Sequence, residues 1–222
     1  MTSDFSGKLL NESSSQYRAN SAEHKNDEGE DHRIFWIVPN YKTAPSVVNS
    51  EPLAGKEKFK VATEDAFDRG TFALAALFGG EAQLTNSSPS FGQGAKGYAR
   101  YFGTSFSDWV IGNYMTEAIY PSILHQVPRY FRSGTGTATR RLGHAVSQLF
   151  WTRTDSGHMQ FNFSEIPGNS TASAISLAYY PDNRKASDAS IKLASQLGVV
   201  LASNILKEFW PEIKRTIFRK KD

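Results

Sequence analysis

The chain contains no cysteine, and this absence removes several kinds of chemistry. Disulfide bonds, thiolate zinc sites and a cysteine nucleophile are all excluded. Histidine is also scarce, with five in the chain and none in the H-E-x-x-H spacing of a zinc-binding helix. We therefore predict neither a metal site nor a cofactor.

Long apolar runs are missing as well. The sequence has no uninterrupted apolar stretch of the roughly 18 residues that a simple spanning helix needs. Nothing in residues 1–32 supplies the apolar core of a signal peptide. From composition alone, we expect neither a simple transmembrane helix nor a signal peptide.

The 222 residues suit one folded domain with additions at its N-terminal side. Residues 1–32 hold seven acids and three Lys or Arg among Ser, Asn and Gly, so we predict a disordered acidic tail. Residues 33–54 are broken by Pro39 and Pro45, which favours an extended segment. Residues 55–219 form the predicted helical domain.

Apolar periodicity and Pro/Gly-rich breaks divide the helical domain into about five helices. We predict a mainly α fold whose helices pack through faces of Gly, Ala and Ser. The predicted helices span 55–84, 93–120, 136–153, 162–180 and 185–219.

Small residues recur every fourth position in four of these helices. Such rows let a neighbouring backbone approach closely, and they are common in membrane helix pairs, although soluble helices also use them. Membrane contact is therefore one of two open interpretations. The rows are Ala95, Ala99, Gly103 and Ser107; Thr139, Gly143 and Ser147; Ser164, Gly168, Ala172 and Ser176; and Ala186, Ser190, Ala194, Gly198 and Ala202.

The last helix combines aromatic and basic residues in the way expected at a lipid headgroup boundary. Pro211 within it is expected to kink the helix or to start a new segment. The predicted membrane-interface residues are Phe209, Trp210, Lys214, Arg215, Phe218 and Arg219.

The stretch "HQVPRYFRSGTGTATRRLGH", residues 125–144, has four arginines and no acid. Its glycines free backbone N–H groups just before a predicted helix start, which favours binding of a phosphate or another anion. Solvated arginines beside a helix lead-in are the alternative. The predicted anion- or lipid-binding residues are Arg129, Arg132, Gly134, Gly136, Arg140 and Arg141.

A hydrolase acting on a lipid or glycan is the alternative function. It would use His125, His144 or His158 with an acid, but no Gly-x-Ser-x-Gly motif supports it. The acids considered are Asp108, Glu117 and Asp155. Asp108 and Glu117 also interrupt the apolar surface of the second predicted helix, where they face either water or the interior of a bundle.

Four segments together resemble a family of predicted bacterial envelope proteins without an established function: "SFGQGAKGYARYFG", "HQVPRYFRSG", "FNFSEIPGNS" and "AYYPDNR". The resemblance covers most of residues 34–213. It implies a bacterial source and an envelope location, and it supplies no catalytic residue.

The function expected from the sequence is membrane association with a binding or structural role rather than catalysis. The expected partner is a membrane surface or an anionic lipid, and self-association into a homo-oligomer stays open. Nucleic acid is disfavoured because helix-turn-helix and aromatic-sheet signatures are missing.

Overall fold

The computed structural model describes residues 53–217 and three short strands before them. The mainly α-helical fold predicted from the sequence is confirmed. The predicted tail, 1–32, lies outside the described residues, and so do Phe218 and Arg219. The described helices are α1 (Gly55–Ala66), α2 (Arg69–Leu84), α3 (Gly94–Asn113), α4 (Tyr120–Leu124), α5 (Ala138–Phe150), α6 (Ile166–Ser176) and α7 (Ala186–Ile217).

Six short strands pair in twos between and before the helices. The first pair is antiparallel, the second is parallel and joins the extended segment to the loop before α5, and the third is an antiparallel hairpin after α5. The strands are β1 (Arg33–Ile34) with β2 (Val38–Pro39), β3 (Thr43–Ala44) with β4 (Tyr130–Phe131), and β5 (Trp151–Arg153) with β6 (Met159–Phe161).

The first predicted helix, 55–84, is two helices in the structure. The carboxylate of Asp68 accepts a hydrogen bond from the Gly70 N–H at 2.7 Å, and this starts α2. The chain therefore turns between Ala66 and Arg69, and α1 and α2 take separate directions. An Asp inside a helical pattern is a weak signal for such a break, because it also occurs on solvated helix faces.

The second predicted helix, 93–120, contains a π-helical stretch at Tyr114–Ile119 and then continues as α4 to Leu124. Thr116 donates its hydroxyl proton to the Gly112 carbonyl at 3.1 Å just before the wider turn. π-helical turns inside α-helices are rare and occur frequently at functional sites. This one carries Glu117 toward the centre of the molecule.

Helix α7 continues through Pro211, so the proline does not start a new segment. Glu208 and Glu212, on either side of the proline, both bind Arg141 of α5. The same guanidinium therefore holds the turns before and after Pro211 together, and the backbone hydrogen bond that proline removes does not end the helix.

Only one of the four small-residue rows packs inside the molecule. The row of α6 is buried, and a Cβ on Gly168 would lie 3.1 Å from Thr116 Cγ2. The row residues of α5 and α7, and Ala95, Ala99 and Gly103 of α3, are exposed. Packing through small residues is therefore correct for α6 and wrong for these other rows, because the inner faces of α5 and α7 carry charged and amide groups.

Close contact between α2 and α3 depends on glycines outside the predicted rows. A Cβ on Gly79 of α2 would lie 3.0 Å from the backbone of Phe102 in α3. At the start of α3, a Cβ on Gly97 would lie 2.2 Å from the Gly92 carbonyl oxygen. A side chain at Gly79 would separate the backbones of α2 and α3, and a side chain at Gly97 would separate α3 from the backbone at Gly92.

The interior is rich in polar groups. Lys58 of α1 is 1% exposed and binds Asp155 at 2.7 Å and the Pro121 carbonyl at 3.1 Å. Gln126 is fully buried and donates to the Phe161 carbonyl at 2.8 Å. Each of these buried groups has a partner from a distant segment, so polar contacts position the elements as much as apolar packing does.

Gly97→Ala is expected to destabilise the protein by about 1–3 kcal/mol, because the new methyl group overlaps the Gly92 carbonyl oxygen. Gly103→Ala in the same helix is the matched control, since a Cβ there meets nothing within 4 Å. The control is expected to add about 0.5–1 kcal/mol of stability through lower backbone entropy in the unfolded chain. Denaturant midpoints measure both, and equal effects of the two variants would contradict the packing described.

Candidate functional site

The arginine-rich loop binds a carboxylate of its own chain. Glu208 of α7 is fully buried and accepts the Ser133 and Gly134 backbone N–H groups, each at 3.0 Å. The Tyr130 hydroxyl donates to it at 2.7 Å, and Arg141 Nε donates at 2.9 Å. The loop therefore holds a carboxylate of its own chain, and its binding of a phosphate or lipid headgroup stays a prediction.

Arg141 also binds a second acid of α7. Its Nη1 donates to Glu212 Oε1 at 2.6 Å, and its guanidinium carbon lies 4.5 Å from the centre of the Phe209 ring. The side chain is 7% exposed. Arg141 and the Gly134 N–H are therefore occupied within the chain, which corrects their assignment to an external anion. Their partners are about 70 positions away in the sequence. The positive charge of Arg141 therefore has no acid close to it in the sequence, although it is paired with acids in the folded chain.

The other predicted loop residues remain accessible. Arg140 and Gly136 are exposed, and Gly136 has a φ of 99°, a left-handed conformation that suits glycine. Arg129 and Arg132 are half-buried, and Arg129 lines the cavity described below.

The predicted membrane-interface residues of α7 are divided by the fold. Trp210 is 5% exposed, which corrects its assignment to a membrane surface, and Phe209 packs against the Arg141 guanidinium. Lys214 and Arg215 are exposed. The two basic side chains thus remain at the surface, whereas Phe209 takes part in the contact between α5 and α7 and Trp210 is buried.

A cavity of about 390 Å³ lies at the centre of the helical domain. Its walls come from α1, α2, α3, the π-helical stretch, α6 and α7, together with the loop before β4. A volume of this size is in the range of small-molecule sites. Its lining combines apolar side chains with acids, amides and a lysine.

Two acids of the cavity interact directly. Asp65 of α1 is 8% exposed, and Glu117 of the π-helical stretch is its neighbour. Burial, and then the charge of Glu117, raise the pKa of Asp65 far above its ordinary value, and a hydrogen bond between the two side chains acts in the same direction. Lys207 of α7 acts in the opposite direction. Burial beside a second acid therefore favours the protonated form of Asp65.

Asp108 of α3 also lines the cavity but is neutralised by other groups. Lys192 Nζ and the Tyr180 hydroxyl each donate to Asp108 Oδ2 at 2.8 Å, and the Tyr179 hydroxyl donates to Oδ1. The two tyrosines follow α6, so this contact fixes the chain between α6 and α7 to α3. Their hydroxyl groups thus lie at a partly buried ion pair, in which the side chains of Lys192 and Asp108 are 24% and 16% exposed.

The histidines do not complete the hydrolase arrangement. His144 Nε2 lies 2.7 Å from the Phe131 carbonyl oxygen, and His158 Nδ1 lies 3.1 Å from the Ser156 hydroxyl. Of the three candidate acids, Asp155 binds Lys58, Asp108 binds Lys192, and Glu117 interacts with Asp65. Among the described residues, no three His, Asp or Glu side chains form a metal-binding group.

Comparison with known protein families, with curated proteins and with solved structures finds no match for this chain. Its function therefore has to be inferred from the geometry of the site.

Sequence reasoning singles out Glu117 but misses Asp65, Asn204 and Lys207. Asp65 stands in a helix with many charged residues, so nothing local separates it from a solvated position. Asn204 and Lys207 interrupt the run "VVLASNILKEF" three residues apart, on one face of α7. That interruption of an apolar stretch is the available signal for a polar cavity wall.

Glu208→Gln is expected to destabilise the protein by about 3–5 kcal/mol, because it removes the buried ionised partner of Arg141 and leaves only the half-exposed Glu212. Glu212→Gln is the matched control on the next turn. The Glu212 side chain is 51% exposed, so we expect a loss of about 1 kcal/mol or less. Chemical unfolding curves measure both losses. Similar losses for the two variants would show that the buried position of Glu208 has no special importance.

Proposed function

We propose that the chain is a membrane-associated helical protein of the bacterial envelope, with a binding or structural role. The observation that carries this proposal is the distribution of side chains. Among the described residues, large apolar side chains are more often exposed than buried, and the interior holds many polar ones. Many exposed apolar side chains around a polar interior favour contact with lipid.

Helix α7 supports the proposal through its length and its outer face. Among the described helices, α7 is long enough and apolar enough to cross a membrane. An 18-residue stretch of it has a mean hydropathy of 1.4, and 6% of that stretch is buried. Its inner face carries Asn204, Lys207 and Glu208, and its outer face carries the small-residue row and Ile191, which is 70% exposed. Polar groups turned inward and apolar groups turned outward suit a helix against lipid.

Aromatic rings add to the apolar surface at α2 and α3. Phe72 of α2 stacks on Phe106 of α3 with ring centres 4.7 Å apart, and Phe67 contacts the same ring edge-on at 6.0 Å. Phe67 and Phe72 are 56% and 42% exposed. Exposed aromatic rings of this kind are enriched where proteins meet a bilayer interface.

Helix α5 combines a basic start with an apolar outer row. Arg140 is exposed in the first turn of this helix. Leu142, Val146 and Phe150 follow it at intervals of four residues from one another, and all three are exposed. Trp151 continues this apolar face and is 50% exposed. A basic end followed by an apolar row suits a helix at an anionic headgroup layer, so we assign headgroup contact to Arg132 and Arg140.

Ala194→Lys with Gly198→Lys is expected to reduce membrane association at least tenfold, because each lysine in the apolar stretch costs about 2.5–3.5 kcal/mol. Both positions are exposed, and a Cβ on Gly198 meets nothing within 4 Å, so the fold is expected to tolerate both changes. Vesicle flotation of the full chain measures the effect, with circular dichroism as the folding check. Thr216→Lys, near the basic end of the same helix, is the matched control and is expected to float as the parent chain does.

If the parent chain does not float with vesicles, or if the double variant floats equally well, α7 is not the lipid contact.

Arg132→Gln with Arg140→Gln is expected to weaken binding to vesicles containing phosphatidylglycerol by about tenfold or more, at about 1 kcal/mol for each arginine near the surface. Binding to vesicles of phosphatidylcholine alone is expected to stay unchanged. Arg69→Gln, an exposed arginine at the start of α2, is the control. Unchanged binding of the double variant to the anionic vesicles would exclude the loop as the headgroup site.

A further inference from the structure

The central cavity has a feature that membrane association does not use. Asn204 of α7 is 8% exposed and lines the cavity, and no hydrogen bond joins its side-chain amide to another described residue. Its amide atoms are not among the fully buried atoms that lack a partner, so the amide faces the open space of the cavity. The amide is therefore available to hydrogen-bond with a polar group of a ligand there.

The acids beside Asn204 indicate the charge of that group. Asp65, Glu117, Asn204 and Lys207 all line this cavity, so the amide and the two acids belong to one site. Two neighbouring carboxylates repel each other when both are ionised, and a cation beside them lowers that repulsion. An ammonium group supplies such a charge together with several hydrogen-bond donors.

The apolar side chains of the cavity indicate which kind of group is attached to the ammonium ion. Leu74, Trp109, Val199 and Val200 line the same cavity. These side chains offer an apolar surface, and an indole ring face also attracts cations. A mostly apolar wall with a few convergent polar groups is the usual composition of a small-molecule site.

We propose that the central cavity binds a small organic cation, a protonated amine on an apolar body. The carboxylates of Asp65 and Glu117 and the amide oxygen of Asn204 hold the ammonium group, and the apolar body lies against Leu74 and Trp109. Lys207 keeps the charge of the acid pair balanced when the cation is absent.

The test compares ligands of one shape and different charge. Benzylammonium and 2-phenylethylammonium are titrated against benzyl alcohol and 2-phenylethanol at neutral pH, with the full chain in detergent and a detergent-only blank. Calorimetry measures the affinity, and the shift in unfolding temperature gives a second readout. We expect saturable binding of at least one ammonium ion with a Kd below about 1 mM, and at least tenfold weaker binding of the matching alcohol.

Two variants locate the site, and a third serves as the control. Asn204→Leu and Glu117→Gln are each expected to weaken ammonium binding about tenfold or more. Glu64→Gln changes an exposed carboxylate of α1 and is expected to leave the affinity within about twofold of the parent. If Asn204→Leu unfolds, Asn204→Asp replaces it. A second carboxylate beside the acid pair is expected to retain ammonium binding while alcohol binding stays weak.

Three results would overturn the proposal: no saturable ammonium binding, equal affinity for amine and alcohol, or an affinity unchanged in both Asn204→Leu and Glu117→Gln. Because the titration uses detergent-solubilised protein, its outcome does not depend on whether the chain floats with vesicles.

Discussion

The buried carboxylate of Glu208 is the contact on which the arrangement of the C-terminal half depends. It joins three parts of the chain, because its oxygens accept hydrogen bonds from Tyr130, from the backbone of the loop and from Arg141 of α5. A charge removed from water is tolerated only when such partners surround it. The loop conformation, the start of α5 and the position of α7 are therefore linked to one another, and the wall that α7 gives to the cavity follows from that link.

Other polar contacts between distant segments complete the frame. Lys58 binds Asp155 and ties α1 to the turn after β5, and Asp108 binds Lys192 and the tyrosines that follow α6. Isolated buried ion pairs add little net stability, but they disfavour alternative packings that leave one partner unpaired. Helices held apart by such groups, and not closed by large apolar side chains, leave space between them. The central cavity is that space, and Asp65 and Glu117 meet inside it.

The polar interior of the helical domain also explains which residues lie on its outer surface. Because amides and charged groups occupy the inner faces of α5 and α7, the small and apolar residues of these helices lie outside. The sequence patterns for close packing were therefore correct about residue type and wrong about direction for α5 and α7. Only α6, with Gly168 against the π-helical stretch, turns its small-residue row inward. An outward apolar face and a polar cavity are compatible with one protein that contacts lipid on one side and holds a cation within.

The sequence by itself determined the helical class and the approximate helices, because helix hydrogen bonds and caps join residues a few positions apart. It also indicated Glu117 as an unusual polar group, and it predicted an external anion at the glycine-rich loop. Only the tertiary structure decided which anion the loop holds, since Arg141 and Glu208 are separated by 67 positions and no local pattern pairs them. It likewise decided that Asp65 and Glu117 share one cavity with Asn204. Burial and charge pairing arise from contacts between distant segments, and these contacts decide which side chains face inward.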